Sequence, residues 1–279
     1  MRIHLVAIDV DGTLLNSSNE VSNATAAVLR QARKEDGVHI VLATARPPRS
    51  VMPFYRLLDL DSPMINYNGA LVYDPPSNRV LLHVPVGPKL ARQVVRAARA
   101  AFPGVSVSAE IIDRWYTDRV DNTYITQTGR VFRPDLVGPI DDWLTQPVTK
   151  LLLLGPPEQM AGIGAMLAKT FKHQVIIMQT EGELLQIMHP TVSKAQALKT
   201  VAGELGVTRQ QVMAIGDNAN DVEMLRWAGL GVAMANAAPA AIAAADAITD
   251  HQDRDGVAKA IHTMIMKGRP LANGDENGW

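Results

Sequence analysis

Asp9 and Asp11 stand two residues apart at the end of an apolar run, in Ile8-Asp9-Val10-Asp11-Gly12-Thr13-Leu14. Carboxylates held that close repel each other, and each favours the protonated form of its neighbour. A divalent cation or a shared proton relieves the repulsion, so the pair points to a metal site, acid/base chemistry or both. Asp and Gly are also common in exposed turns, but three further segments count against that reading. Ile40-Val41-Leu42-Ala43-Thr44-Ala45-Arg46 is a second apolar run, ending in a hydroxyl and then a base. Val192-Ser193-Lys194-Ala195 reads as a helix start with a lysine in its first turn. Met213-Ala214-Ile215-Gly216-Asp217-Asn218-Ala219-Asn220-Asp221 reads as a strand ending in an acidic, amide-rich turn. Together they offer carboxylates to a cation, and hydroxyl, ammonium and amide donors to an anion, which is the inventory of a phosphoryl-transfer site. Lys194 adds a physical hint: a cation in the first turn opposes the positive end of the helix dipole, a placement that makes sense with an anion in front of it.

The elements that must position these groups alternate along the chain. Strand signals near residues 3–8, 38–43, 64–66, 212–215 and 231–234 are separated by helical ones at 21–35, 193–205, 221–228 and 257–266. Ser22 and Ser193 are expected N-caps, with Gly37 and Gly206 past the ends of their helices. Continuous apolar strands alternating with amphipathic helices predict a parallel sheet covered on both faces, and in such folds ligands bind at the carboxyl ends of the strands. Residues 71–73 and 80–84 flank Asp74-Pro75-Pro76-Ser77-Asn78, an expected hairpin. The stretch from about Pro85 to Pro190 lacks the polar strand-end motifs. It mixes helical faces (Leu90, Val94, Val95, Ala98; Ile163, Met166, Leu167, Phe171) with short strand candidates at 105–109, 123–126, 150–154, 174–178 and 184–188. It reads as an inserted α+β segment of domain size. The tail after Lys267 is polar and Gly-rich, and disorder is expected there.

Composition narrows the function classes. The chain has 279 residues, enough for two domains. Its 27 Lys and Arg against 28 Asp and Glu give a net charge of -1, which argues against a binder held by nucleic-acid phosphates. There is no cysteine, so disulfides, thiolate metal sites and cysteine nucleophiles are excluded. No long apolar region precedes Asp9, so no signal peptide is expected. Residues 229–245 are apolar, but Asn236 and Pro239 make them a poor membrane span. The expectation is a soluble cytoplasmic protein with neither nucleic acid nor membrane as partner. The seven histidines show no metal-ligand spacing.

The four segments, in this order, resemble the haloacid dehalogenase superfamily. The Asn68-Gly69-Ala70 turn and the insertion after it resemble that superfamily's Cof-type phosphatase branch, and the likeness spans about residues 3–266. The resemblance implies an α/β protein with a doubly wound, Rossmann-like core (residues 1–84 and 191–267) and an inserted α+β cap (85–190), followed by the tail at 268–279. It implies the spatial strand order third, second, first, fourth, fifth. Asp9 would be the nucleophile and Asp11 the general acid and base, an assignment that favours a phosphatase or phosphomutase over a dehalogenase. A Mg2+ ion would be held by Asp9, the backbone carbonyl of Asp11, Asp217 and, directly or through water, Asp221, although an acid at Asp221 also suits a helix start. Thr44, Lys194 and Asn220 would hold the phosphate. Two places depart from the pattern: Ala195 follows Lys194 and Ala45 precedes Arg46, where glycine is usual. Arg46, Asn68, Trp115, Asp118 and Glu181 are the candidates for substrate contact. Asp113, Arg114 and Tyr116 of the inserted segment belong to the same polar and aromatic group near strand ends. The implied activity is hydrolysis of small-molecule phosphate monoesters through an aspartyl-phosphate. A sugar-phosphate mutase and a non-catalytic phospho-ligand-binding module are the alternatives. The sequence leaves the particular metabolite and the oligomeric state open.

Overall fold

The computed structural model describes residues 2–120, 123–124 and 127–266. The expected tail at 268–279 lies outside the described residues. The chain divides into two compact units, one running up to Leu82 and from Ser193 onward, the other spanning His83–Val192.

In the first unit the strand Leu5–Ile8 pairs in parallel with His39–Leu42 on one side and Val212–Gly216 on the other. Leu230–Ala233 and Ala247–Ile248 extend the sheet beyond Val212–Gly216, again in parallel. Met64–Asn66 joins the far edge through a parallel bridge between Ala43 and Ile65. The expected doubly wound order is therefore present, with Leu5–Ile8 and Val212–Gly216 side by side. Ala247–Ile248 is an additional outer strand that the sequence did not signal, being two residues long in an alanine-rich stretch.

Both faces of this sheet are covered, which is why its strands read as unbroken apolar runs. Val6, Ile8, Ile40, Leu42, Met213 and Ile215 face the helices Asn23–Asp36 and Gly256–Met264. The alternate residues Leu5, Ala7, Val41, Val212 and Ala214 face Lys194–Glu204 and Val222–Trp227. The caps form as expected: Ser22 accepts a hydrogen bond from the Thr25 backbone N–H at 3.0 Å, and Gly37 closes the helix in the left-handed conformation. After Met64–Asn66 the chain turns back through Leu71–Asp74 and Arg79–His83 to make a small three-stranded sheet.

The second unit is built on a six-stranded sheet. Its spatial order is Ile176–Glu181, Leu184–Met188, Lys150–Leu154, Ser106–Ile111, Arg114–Thr117 and Leu136–Val137. Only the last pair is parallel. Val107, Ala109, Leu151, Leu153, Leu185 and Ile187 form one face and pack with the helices Pro88–Ala101 and Pro157–Thr170 into a core of their own. The expected strand at 123–126 is not seen in its described part, since Thr123 and Tyr124 form a bend; Ile125 and Thr126 lie outside the described residues. No helix of the described residues is long and apolar enough to cross a membrane.

Candidate active site

The strand Leu5–Ile8 delivers Asp9 beyond its last residue, and the Asp9 backbone N–H still donates to Ile215 O at 3.0 Å. The chain then folds into a wide turn, closed by Leu14 N to Asp9 O at 3.2 Å and Leu15 N to Val10 O at 3.0 Å. Gly12 makes the turn at φ +81°, and a Cβ there would stand 2.5 Å from Asp217 Oδ2. Glycine is therefore required twice, for the left-handed backbone and for the close approach of the Asp217 carboxylate.

Three carboxylates converge at this point. Ligand atoms of Asp9, Asp217 and Asp221 all lie within 4.8 Å of one another. Lys194 Nζ sits among them, 2.5 Å from Asp9 Oδ1 and 2.6 Å from Asp221 Oδ1, with no exposed side-chain surface. The anions that the position of Lys194 called for are thus supplied by the protein. Asp221 has two tasks: its Oδ2 accepts the backbone N–H groups of Asp217 (3.1 Å) and Asn218 (3.0 Å), capping the turn, while Oδ1 holds Lys194. Asp217 is oriented by Thr13, whose hydroxyl donates to Asp217 Oδ1 at 2.8 Å.

One ammonium among two buried carboxylates and a half-buried one leaves the cluster short of positive charge. Burial, reinforced by Asp221 and Asp217, raises the Asp9 carboxyl well above its usual range despite Lys194. Burial also raises Asp217, with the Thr13 hydrogen bond opposing it. Burial alone would lower Lys194, but Asp9 and Asp221 outweigh it and hold the ammonium above its ordinary value. Such a cluster favours an added cation. Its donors are all oxygens and few in number, which suits Mg2+ with waters or phosphate oxygens filling the remaining positions.

Asp11 faces elsewhere. Arg46 grips its carboxylate with two nitrogens, Nε to Oδ2 at 2.9 Å and Nη2 to Oδ1, and lies over the Phe54 ring at 5.7 Å. The Asp11 side chain stays 47% exposed, whereas that of Asp9 is 7% exposed, so neighbours in sequence occupy unlike environments. Thr44 is fully buried beyond His39–Leu42, and its Oγ1 accepts the Arg46 backbone N–H at 3.1 Å. Asn220 donates to Asn68 Oδ1 at 2.9 Å, tying the acidic turn to the Asn68-Gly69-Ala70 turn. Gly69 has a position as tight as that of Gly12: at φ +98°, its Cβ would stand 2.3 Å from Ser193 O.

Two contributors were not singled out from the sequence. Thr13 orients Asp217, and Asn236 Nδ2 donates to Gly12 O at 2.7 Å, steadying the turn from the end of Leu230–Ala233. Asn236 carries the same signal as the other segments, a polar residue just past an apolar strand.

The remaining candidates lie in the second unit. Asp118 accepts from Arg99 Nη2 (2.9 Å), the Val107 backbone N–H (3.0 Å) and Ser106 Oγ (3.2 Å), so it braces the strand Ser106–Ile111. Glu181 ends its strand with a carboxyl raised by burial and by Glu183, against Arg130. The Trp115 backbone is pinned by Asp135 in both directions, Trp115 N to Asp135 Oδ2 at 2.7 Å and Asp135 N to Trp115 O at 2.8 Å.

Comparison with known proteins shows the family. The family model of haloacid dehalogenase-like hydrolases matches residues 6–261. YxeH of Bacillus subtilis (strain 168) is 32% identical over 273 residues, covering 94% of this chain and 98% of its own. The 5-amino-6-(5-phospho-D-ribitylamino)uracil phosphatase YitU of the same organism is 30% identical, covering 92% and 96%. A haloacid dehalogenase-like hydrolase from Bacteroides thetaiotaomicron superposes with a TM-score of 0.85 at 27% identity, over 95% of this chain and 100% of its own. The chain belongs to the haloacid dehalogenase-like hydrolases and, within them, to the Cof-type phosphatases, enzymes that hydrolyse phosphoric monoesters.

Proposed function

We propose that this enzyme is a Mg2+-dependent phosphatase of small-molecule phosphate monoesters, working through an aspartyl-phosphate on Asp9. The observation that carries the reading is the buried cluster in which Lys194 grips Asp9 Oδ1 while Asp217 and Asp221 crowd beside it. Lys194 fixes the orientation of the Asp9 carboxylate and leaves Oδ2 as the atom to attack phosphorus. The P–O bond to the leaving group breaks as the Asp9–phosphorus bond forms, so one hard displacement becomes two easier ones. Asp11, more exposed and set apart from the cluster, is the proton carrier once Arg46 releases its carboxylate: it gives a proton to the leaving oxygen and then takes one from the water that cleaves the acyl phosphate. Lys194, the Thr44 hydroxyl and the Asn220 amide are the donors assigned to the phosphate oxygens.

Asp9, Asp217 and, directly or through water, Asp221 would hold the Mg2+ ion, with the Asp11 backbone carbonyl as a further donor. When bound, the ion neutralises charge on the transferring phosphoryl group and on the crowded carboxylates. The proposed substrates are small phosphorylated metabolites, in keeping with the substrate in the name of YitU. A chain of 279 residues without cysteine suits a reducing compartment such as the cytoplasm.

The test is phosphate release from a panel of metabolite monoesters, with Mg2+ and with excess chelator. Chelation should silence the enzyme and Mg2+ should restore it; full activity in chelator refutes the metal assignment. Asp9→Asn should keep the fold and lose more than about a hundredfold in rate, the loss that removing a general acid alone typically costs at the low end. Rapid quench with 32P-labelled substrate should trap acid-stable label on wild type and none on Asp9→Asn.

A further inference from the structure

The chain that follows Asp9 is held from outside the carboxylate cluster, by residues 234–238 and 250–255. These stretches leave the ends of the outer strands Leu230–Ala233 and Ala247–Ile248, at the same carboxyl edge of the parallel sheet as Asp9. Asn236 Nδ2 donates to Gly12 O at 2.7 Å, and two residues on the Ala238 backbone N–H donates to Asp217 O at 2.8 Å. One short turn therefore touches both sides of the gap that Gly12 leaves for the Asp217 carboxylate. The second stretch grips the same chain further along. Asp253 Oδ1 accepts the Ser17 backbone N–H at 2.7 Å, and Asp255 Oδ1 accepts the hydroxyls of Ser22 and of Thr25, the latter at 3.1 Å.

Gln252 sets the orientation of the Asn236 amide. The Gln252 backbone N–H donates to Asn236 Oδ1 at 3.0 Å, and Asn236 Nδ2 donates to Gln252 Oε1 at 3.1 Å. A backbone N–H can only donate, so Oδ1 must face it, and the two Nδ2 hydrogens are left for Gln252 Oε1 and Gly12 O. The reversed amide would set Nδ2 against an N–H and Oδ1 against a carbonyl oxygen. The bond to Gly12 O is therefore enforced by a second contact. Gly12 gains from it: its backbone is left-handed at φ +81°, and glycine has more conformational freedom to lose than any other residue. It is flanked by Asp11, the proposed proton carrier, and by Thr13, whose hydroxyl orients Asp217.

We propose that Asn236 is a positioning residue for phosphoryl transfer: clamped by Gln252, it fixes the Gly12–Thr13 peptide and, through it, the placement of Asp11 and Thr13. The donors assigned to the phosphate, Lys194, Thr44 and Asn220, stand on other segments. Removing the Asn236 bond therefore slows the chemical step and leaves phosphate binding alone. This kinetic consequence rests on the phosphatase reading above; the clamp on the turn does not.

The experiment compares the full-length enzyme with Asn236→Ala, which deletes the amide, and with Asn236→Asp, which keeps its shape and its acceptor for the Gln252 N–H. In Asn236→Ala, kcat for an alkyl monoester should fall about 10–100-fold, the upper figure being what a misplacement of about 1 Å can cost. Inhibition by inorganic phosphate should stay within about threefold of wild type. Asn236→Asp should be as slow at about pH 8, where its carboxylate has no proton to give and faces the Gly12 oxygen. Towards about pH 5 the carboxyl protonates and its O–H can donate to Gly12 O, so its rate relative to wild type at the same pH should rise. A kcat of Asn236→Ala within about twofold of wild type, a loss of phosphate affinity equal to the loss in kcat, or a relative rate of Asn236→Asp that does not rise overturns the inference. Hydrogen exchange reads the clamp without substrate, because the Leu14 and Leu15 N–H groups close the turn. Peptides over residues 10–17 should exchange faster in Asn236→Ala, and those over 39–42 should not. Unchanged exchange over 10–17, or equal acceleration in both, overturns the inference. Should wild type hydrolyse no ester, the phosphatase reading fails alone and the exchange decides the clamp.

Discussion

At the scale of single residues, the site separates two carboxylates that the sequence places side by side. Asp9 is buried and gripped by Lys194; Asp11 is half exposed and gripped by Arg46. The division suits a nucleophile and a proton carrier, and it can be tested. Asp11→Asn should slow phosphorylation by alkyl phosphates by about 10²–10⁴-fold, and by much less with an aryl phosphate whose leaving group needs no proton. Single-turnover phosphorylation with both substrates is the measurement, and equal losses would reduce Asp11 to a positioning or metal-binding role. Asp221 makes a different prediction, about stability. Asp221→Ala strips Lys194 of one partner in a buried contact and leaves two part-buried backbone N–H groups uncapped. Lys194 keeps Asp9 as a partner, so the loss is chiefly that of the uncapped N–H groups, about 1–3 kcal/mol, and denaturant unfolding should show a loss of that order. Asp221→Asn, which keeps an oxygen for the N–H groups, should lose less. Asp9, Lys194, Asp217 and Asp221 were legible because each stands at the end of an apolar run or the start of a helix, where type and spacing carry the message. The Asp11–Arg46 pair was not legible: which acid an arginine meets depends on the fold across a separation of 35 positions.

At the scale of elements, the site depends on two glycines as much as on its acids. Gly12 lets the turn after Leu5–Ile8 admit Asp217, and Gly69 lets its own turn lie against the start of the Lys194–Glu204 helix. Both adopt positive φ, so alanine would meet a backbone penalty and a clash together. Gly69→Ala drives Cβ into the backbone oxygen of Ser193, which has nowhere to yield. Its melting temperature should fall, with a stability loss of about 1–3 kcal/mol from the strained φ alone. Gly12→Ala meets a side chain that can swing, so Asp217 should move. The expected signature is a raised Mg2+ requirement in the phosphatase assay, with a smaller drop in melting temperature than for Gly69→Ala. An unchanged Mg2+ dependence would show that Asp217 tolerates displacement. Strand polarity and helix starts were readable because burial on both faces writes continuous apolar runs and serine caps. Ala247–Ile248, Arg114–Thr117 and Leu136–Val137 were missed for the opposite reason: short edge or outer strands need little apolar content, and their pairing is set by neighbours distant in sequence.

At the scale of the whole molecule, the proposed function divides the chemistry between the two units. The groups that the first unit gathers around Asp9 are carboxylates, an ammonium, amides and a hydroxyl, suited to a phosphate and a cation common to every monoester. None of them distinguishes one organic group from another. The second unit has its own sheet, its own buried core and an aromatic-lined hollow, so it can vary without disturbing the packing around Asp9. Selectivity is therefore expected to travel with residues 83–192. The decisive experiment is a chimera in which that segment is exchanged for the matching one from a relative of different preference, such as the 5-amino-6-(5-phospho-D-ribitylamino)uracil phosphatase YitU. If the division holds, the chimera's ranking of substrates by kcat/KM follows the donor of the segment. Inhibition by inorganic phosphate, which needs only the first unit's groups, should stay within about threefold of wild type, a difference under 1 kcal/mol. A chimera that folds, turns over and keeps the original ranking would place selectivity in the first unit, among residues such as Arg46 and Asn68 that border the cluster rather than form it.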